Sequence, residues 1–291
     1  MKNLITVILF ILSVMILKGQ TTVPDTTQEG QKVIKTVDGA EYVGRITSES
    51  ETTISLQTPA GINIDIPKTS VQSIKPFEGK VVGKKIYRPD PNKSRYLIAP
   101  SAFPIESGKG YCRDFCLVFP SINYGLSNQV SVQAGIIWFP GMPIADTPMF
   151  ASAKVTLMQT KKVALAAGMQ YFRIPLLDRG FGMGFLFGTA TVGDRFNHGT
   201  VSLGWGYVEE KGNWDVANRP IVVLAGNKRM TENLALVTEN WILPQTGLEN
   251  TPLSLAVRFF GKKIAVDVGG IIILKSEGAP TPLLDFTYHF D

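Results

Sequence analysis

Cysteine occurs twice in the 291 residues, at Cys112 and Cys116, and histidine twice, at His198 and His289. That scarcity excludes a disulfide framework. On one strand the two thiols would stand ~13 Å apart at ~3.3 Å per residue, beyond bridging range, so they are read as ordinary apolar thiols. With the two histidines remote from each other, a zinc cluster has no ligand set. Charged residues are also few, at 18%, and the net charge of +5 is mild, as expected of Lys and Arg placed in turns. Past the N-terminus no apolar run approaches the ~18 residues that a membrane-spanning helix needs. A membrane assignment would therefore have to rest on strands.

What is present begins with a targeting pattern. Lys2 opens it, Leu4 to Leu17 supply an apolar core, and Gly19 precedes a cleavage expected at Gln20. The core is too short for an ordinary spanning helix, and no Cys follows it to carry a lipid. Residues 1–19 are thus expected to be a signal peptide and the mature chain to be exported.

The chain then divides. Residues 20–76 are a polar leader and a small β-domain: Val33–Val37, an Asp38-Gly39 turn signal, Glu41–Glu49, Thr52–Thr58, a Pro59-Ala60-Gly61 turn, Ile62–Ile66, a short helical turn and Val71–Lys75. Five short strands with no helix to cover them suggest a small closed barrel. Residues 77–94, rich in Gly, Lys and Pro, read as a linker.

From Arg95 the strands lengthen. In Thr200–Tyr207 one face is Val201, Leu203, Trp205 and Tyr207, and the other is Thr200, Ser202, Gly204 and Gly206. A soluble sheet shows charged and long polar side chains to water; a small, weakly polar second face suits the lumen of a membrane barrel. Tight turns at Leu126-Ser127-Asn128, Thr160-Lys161-Lys162, Val192-Gly193-Asp194, Lys228–Asn233 and Gly261-Lys262-Lys263 recur about every 32 to 37 residues, alternating with longer Pro/Gly-rich loops. The spacing gives twelve strands, starting with 95–103 and 111–125, of the length that tilted strands need to cross a bilayer. The expected fold class is all-β: a small five-stranded N-terminal barrel followed by an antiparallel up-and-down membrane barrel over residues 95–291.

Aromatics fall in two bands, at the loop ends (Trp138, Phe150, Tyr171, Phe181, Trp205, Tyr207, Trp241) and at the turn ends (Tyr124, Phe196, Phe259, Tyr288, Phe290), as interfacial girdles do. Gly182, Gly184 and Gly188 lie in a strand without a following helix, so they are packing positions facing the lumen and not a phosphate cradle.

Two resemblances follow from particular stretches. Asp38–Ile46, a turn feeding a bent Gly-containing strand, resembles SH3-like or Sm-like small barrels. Sm-type barrels bind RNA, but export argues against nucleic acid here; SH3-like modules imply a periplasmic protein or cell-wall partner for residues 33–76, or a plain spacer. Residues Arg95–Pro104 with Gly108–Tyr111, together with Leu236–Trp241, resemble outer-membrane β-barrel proteins of Bacteroidota. The closing Leu284–Phe290 resembles the aromatic C-terminal strand recognised for outer-membrane insertion, although Asp291 follows the last Phe. The resemblance implies outer-membrane lipid and the barrel-insertion machinery as partners, with the small domain and the C-terminus in the periplasm. It implies no assigned activity.

Candidate site residues are few. Arg258 and Asp267 should oppose each other across the Lys262-Lys263 turn as a lumenal ion pair, with Glu239 and Asp285 extending a polar network and Lys154 on the same inner face. No cofactor or metal is implied. An enzyme is not expected: neither histidine lies in a motif with Ser, and no carboxylate spacing singles out a catalytic pair. Passage or binding of a small solute, a structural or assembly barrel with a filled lumen, a surface lipid hydrolase and a soluble exported β-protein are the readings that remain. With no long loop available to enter the lumen, filling is expected to come from wall side chains.

Overall fold

In a computed structural model the described residues are 30–175, 177, 181–243, 250–273, 275 and 278–290. The signal peptide and leader lie outside them. The chain divides into two units, Met1–Pro89 and Asp90–Asp291.

The first unit holds strands β1 (Gln31–Thr36), β2 (Glu41–Glu49), β3 (Thr53–Gln57), β4 (Asn63–Pro67) and β5 (Val71–Pro76). They form one antiparallel sheet in the order β4-β3-β2-β1-β5. Gly39 closes the first hairpin at φ 86°, a left-handed value that Gly adopts at no steric cost. Ile34, Ile54, Leu56 and Ile66 pack as its core. The stretch expected as linker carries a further two-stranded hairpin, β6 (Lys80–Val82) with β7 (Lys85–Tyr87).

The second unit is a closed barrel. Its strands are β8 (Gly110–Phe115), β9 (Phe119–Gly125), β10 (Val130–Ile136), β11 (Met149–Gln159), β12 (Val163–Arg173), β13 (Phe181–Gly193) and β14 (Asn197–Glu210). The circuit continues, after the short β15 (Asn213–Val216), through β16 (Ile221–Arg229), β17 (Leu234–Ile242), β18 (Pro252–Phe260), β19 (Ile264–Ile273) and β20 (Thr281–Phe290). Sequential strands pair antiparallel, β14 passes directly to β16, and β20 pairs with β8 to close a wall of twelve strands. β15 only extends the loop end of β14.

The count of twelve conceals two corrections. Residues 95–103 form no strand. Expected strand 111–125 is instead two, β8 and β9, separated by a tight turn in which Cys116 and Leu117 adopt φ 55° and 60°. Neither residue is a turn former, so the sequence carried no Gly or Asn signal to mark the break.

Alternation sets the two faces of the wall. Leu157, Val201, Leu203, Trp205, Leu255 and Phe259 stand exposed on the outside, an apolar band built for lipid. Arg258, Asp267, Asp285, Thr200 and Ser202 are buried on the inside. The glycines of β13 are a correction. Register pairs Gly184 with Tyr207 and with Tyr171, and Gly188 with Leu203, all on the outer face. A Cβ at Gly182 would strike the Tyr171 ring, and one at Gly184 would come within 2.6 Å of the Tyr207 hydroxyl. These glycines are beds for two outward tyrosines, an arrangement in which an aromatic ring covers backbone that glycine leaves bare. The aromatic bands are also only partly girdles. Trp138, Trp205, Tyr124, Phe259 and Tyr288 are exposed, but Phe150 and Phe196 are buried and Trp241 points inward to Glu239.

Candidate functional site

Residues 90–104 run through the barrel interior, and the inward side chains of the wall hold them there. Correcting the expectation that wall side chains alone would fill the lumen, a chain segment does so as well. Tyr96 and Leu97 pack with Phe115, Ala225, Val237, Ala256 and Leu283 in one buried cluster.

The polar contacts explain how so short a plug is fixed. Arg258 on β18 donates through Nε to Asp267 Oδ1 (2.7 Å) and through Nη2 to Oδ2 (2.8 Å) on β19. The same guanidinium reaches the plug, donating to Asp90 Oδ2 (3.1 Å) and to the Tyr96 carbonyl (2.8 Å). Asp285 on β20 accepts from Arg113 Nε (2.9 Å) on β8 and pairs with plug Arg95 at 2.7 Å. Arg113 also donates to the Leu97 carbonyl.

Glu239 on β17 makes the densest contact. Its Oε2 accepts three consecutive backbone N–H groups, from Leu97 (3.0 Å), Ile98 (2.8 Å) and Ala99 (2.9 Å), and its Oε1 accepts Trp241 Nε1 (2.7 Å). Consecutive N–H groups converging on one oxygen form an anion nest, so the carboxylate serves as the ligand of a turn in the plug. Lys154 on β11 is the converse, donating to the carbonyls of Ser94 (3.2 Å), Ser101 (2.6 Å) and Phe103 (2.7 Å). Thr191 and Thr156 hold the N–H and carbonyl of Ala102.

Four buried cations (Arg95, Arg113, Lys154, Arg258) face four buried carboxylates (Asp90, Asp267, Asp285, Glu239) among the described residues. Buried charges are tolerated when paired and hydrogen-bonded, and the loss of one partner is costly. Such a balanced cluster fixes one arrangement of the plug more than it adds net stability. The structure brings Arg258, Asp267, Glu239, Asp285 and Lys154 into one network. Sequence reading missed its plug side, Asp90, Asn92 and Arg95, because backbone carbonyls and N–H groups recognised by distant strands leave no pattern in the chain.

Both histidines engage the plug. His198 lies with its ring centroid 5.3 Å from those of Tyr96 and Phe103, and His289 Nε2 is 2.7 Å from Asn92 Oδ1. No cluster of three or more His, Cys, Asp or Glu side chains placed to hold a metal occurs among the described residues. Just beyond the plug, Glu106 bonds Lys93 and, at 2.7 Å, Lys109. Burial pushes its carboxyl up, but the two lysines outweigh that and hold it at about 2.

Two small spaces lie beside the plug among the described residues. A polar cavity of about 50 Å³ lies between the plug and β8–β13, and an apolar one of about 20 Å³ lies beside Pro100 on the β13–β17 side. At roughly 10–15 Å³ per water, the first holds a few waters and neither is a channel.

No family model matches the chain, and no curated protein matches it. Among solved structures it is similar to a KdgM porin in complex with disordered oligogalacturonate, at 7% identity over 63% of this chain and 98% of the porin, with a TM-score of 0.44. It is also similar to a loop-deletion mutant of OmpT, an outer membrane protein of Vibrio cholerae, at 11% identity over 89% and 96%, with a TM-score of 0.32. At those scores the barrel stands on its own strand ladder and apolar wall, with no functional residue carried over.

Proposed function

We propose that the protein is an outer-membrane β-barrel closed by its own residues 90–104, acting as a binding or structural barrel and not as a standing pore. The observation that carries this reading is the Glu239 carboxylate holding three consecutive plug N–H groups inside the wall. A water-filled porin lumen has no such contact to make.

In this reading residues 1–19 direct export, the insertion machinery recognises the final aromatic strand, and residues 30–89 and the C-terminus lie in the periplasm. Gly110 and Phe290 are register partners, so the chain enters and leaves the wall at the same end. The sheet order β4-β3-β2-β1-β5 and the register shift in β2 near Ser48 fit an SH3-like module, to which we assign a periplasmic protein or cell-wall contact. Kinship with Bacteroidota barrels is part of the same proposal. A non-enzymatic role fits the engagement of both histidines with the plug. Passage of a solute would require the plug to leave, and its direct continuity with residues 30–89 supplies a handle for that.

Planar-bilayer recording tests this. The full chain is expected to give no steady conductance, and a variant lacking residues 90–104 is expected to open stable channels. Steady conductance of the unmodified protein would overturn the closed-barrel reading.

A further inference from the structure

Above the plug the inner face changes character. Continuous register carries the inward set of β13 from Thr191 and Thr189 through Phe187 and Phe185 to Met183. On β19 it runs from Asp267 through Gly269 and Ile271 to Ile273. Barrel interiors are ordinarily polar, yet here only the β9–β12 side keeps that character at the level of Phe185, through Asn123, Gln133, Ser152 and Gln170, and the side of β13, β16 and β19 is apolar. Inward-facing Met183 and Ile273 are 40% and 45% exposed, and Ile98 at the plug tip is 46% exposed. Phe185 meets Trp241 edge-on at 6.2 Å. Large apolar side chains open to water inside a concavity, with a few convergent polar groups, are the signature of a ligand site.

The two cavities beside Pro100 divide that signature. Phe185, Ile221, Val223 and Trp241 line the apolar one, whereas Arg95, Gln133, Ser152 and Gln170 border the polar one. The charged groups of the cluster below are engaged with one another or with plug backbone. However, Arg95 is buried and its Nε–H has no hydrogen-bond partner among the described residues. A buried donor left open calls for an acceptor from water or ligand.

We propose that this loop-side cup binds a single-chain amphiphile. Its hydrocarbon chain lies against Phe185, Ile221 and Trp241, and a head-group oxygen, from a carboxylate or an ester, accepts from Arg95 and from the Gln133 or Gln170 amide. A sugar would also stack on Trp241 and could bond Gln133 or Gln170 on one side, but Met183, Ile221, Val223 and Ile273 would leave its hydroxyls on the other side without partners. The inference rests on the closed-barrel reading, because Arg95, Ile98 and Pro100 of the plug form the floor of the cup; the two fail separately, because conductance reports on the plug and Trp241 quenching on the cup.

The test uses the full chain in lipid nanodiscs, with 9,10-dibromostearate and its monoglyceride as quenchers of tryptophan fluorescence. The difference between wild type and W241F isolates Trp241 from Trp138, Trp205 and Trp214. The expected result is saturable quenching of the Trp241 component, competed by unbrominated stearate or monostearin and not by maltotriose. Whichever probe binds more tightly identifies the head group as acid or ester. Ile221→Glu and Met183→Glu should each weaken binding at least tenfold, with heat-modifiable mobility showing that the barrel remains folded. An unquenched Trp241, quenching that neither saturates nor is competed, or displacement by maltotriose would each overturn the proposal.

Discussion

At the scale of residues, the account turns on side chains whose partners lie far away in sequence. Glu239 holds N–H groups of residues 97–99. Replacing it with Ala leaves the buried N–H groups of Leu97 and Ala99 and the part-buried one of Ile98 without an acceptor, which should cost about 3–5 kcal/mol. Glu239→Gln keeps an acceptor oxygen and should cost about 1–2 kcal/mol. Urea unfolding of the refolded barrel measures both, and equal losses would contradict a role for the carboxylate charge. Glu106 gives a pH dependence of stated sign. Its folded value of about 2 lies below the ordinary 4.5, so its contribution is complete above the unfolded value and is lost as pH falls from 4.5 to 2. The protection of residues 90–104 against hydrogen exchange, taken relative to the intrinsic rate at each pH, should therefore fall across that window, and Glu106→Gln should remove the fall.

Among elements, the β8–β9 hairpin is the local anomaly. Cys116 and Leu117 both hold left-handed φ values without being glycine, a conformation that costs about 1–2 kcal/mol per ordinary residue. Leu117→Gly should raise the midpoint of thermal unfolding, by an amount corresponding to about 1 kcal/mol; a fall would show that the exposed Leu117 side chain has a contact worth more than the strain. This turn also marks the limit of what the chain disclosed. Alternation and turn spacing were enough to place β10–β14 and β16–β20, because a barrel wall repeats one pattern with lipid on one side. They also put Arg258 opposite Asp267, since hairpin register across a short turn fixes cross-strand neighbours. A turn made of Cys and Leu carries no such mark. Nor does a plug recognised through its backbone, so residues 95–103 read as a strand. Those two errors left the count of twelve intact. The faces of Gly182, Gly184 and Gly188 were misread because glycine has no side chain to announce a direction, and their register partners decide it.

For the whole molecule, the same alternation that builds the wall separates three environments. Apolar side chains face out, a hydrogen-bonded cluster of charges grips residues 90–104 at one level of the interior, and a cup with one apolar and one polar side opens above it. A soluble protein could not keep Leu157, Leu203, Trp205, Leu255 and Phe259 exposed together on one continuous surface. The membrane barrel is thus the premise of every other statement, and heat-modifiable gel mobility of the full-length protein in a washed outer-membrane fraction tests it most directly. The account predicts that the protein is extracted only by detergent and that the unboiled band runs faster than the boiled one. A single band of unchanged mobility, recovered in the soluble periplasmic fraction, would contradict it.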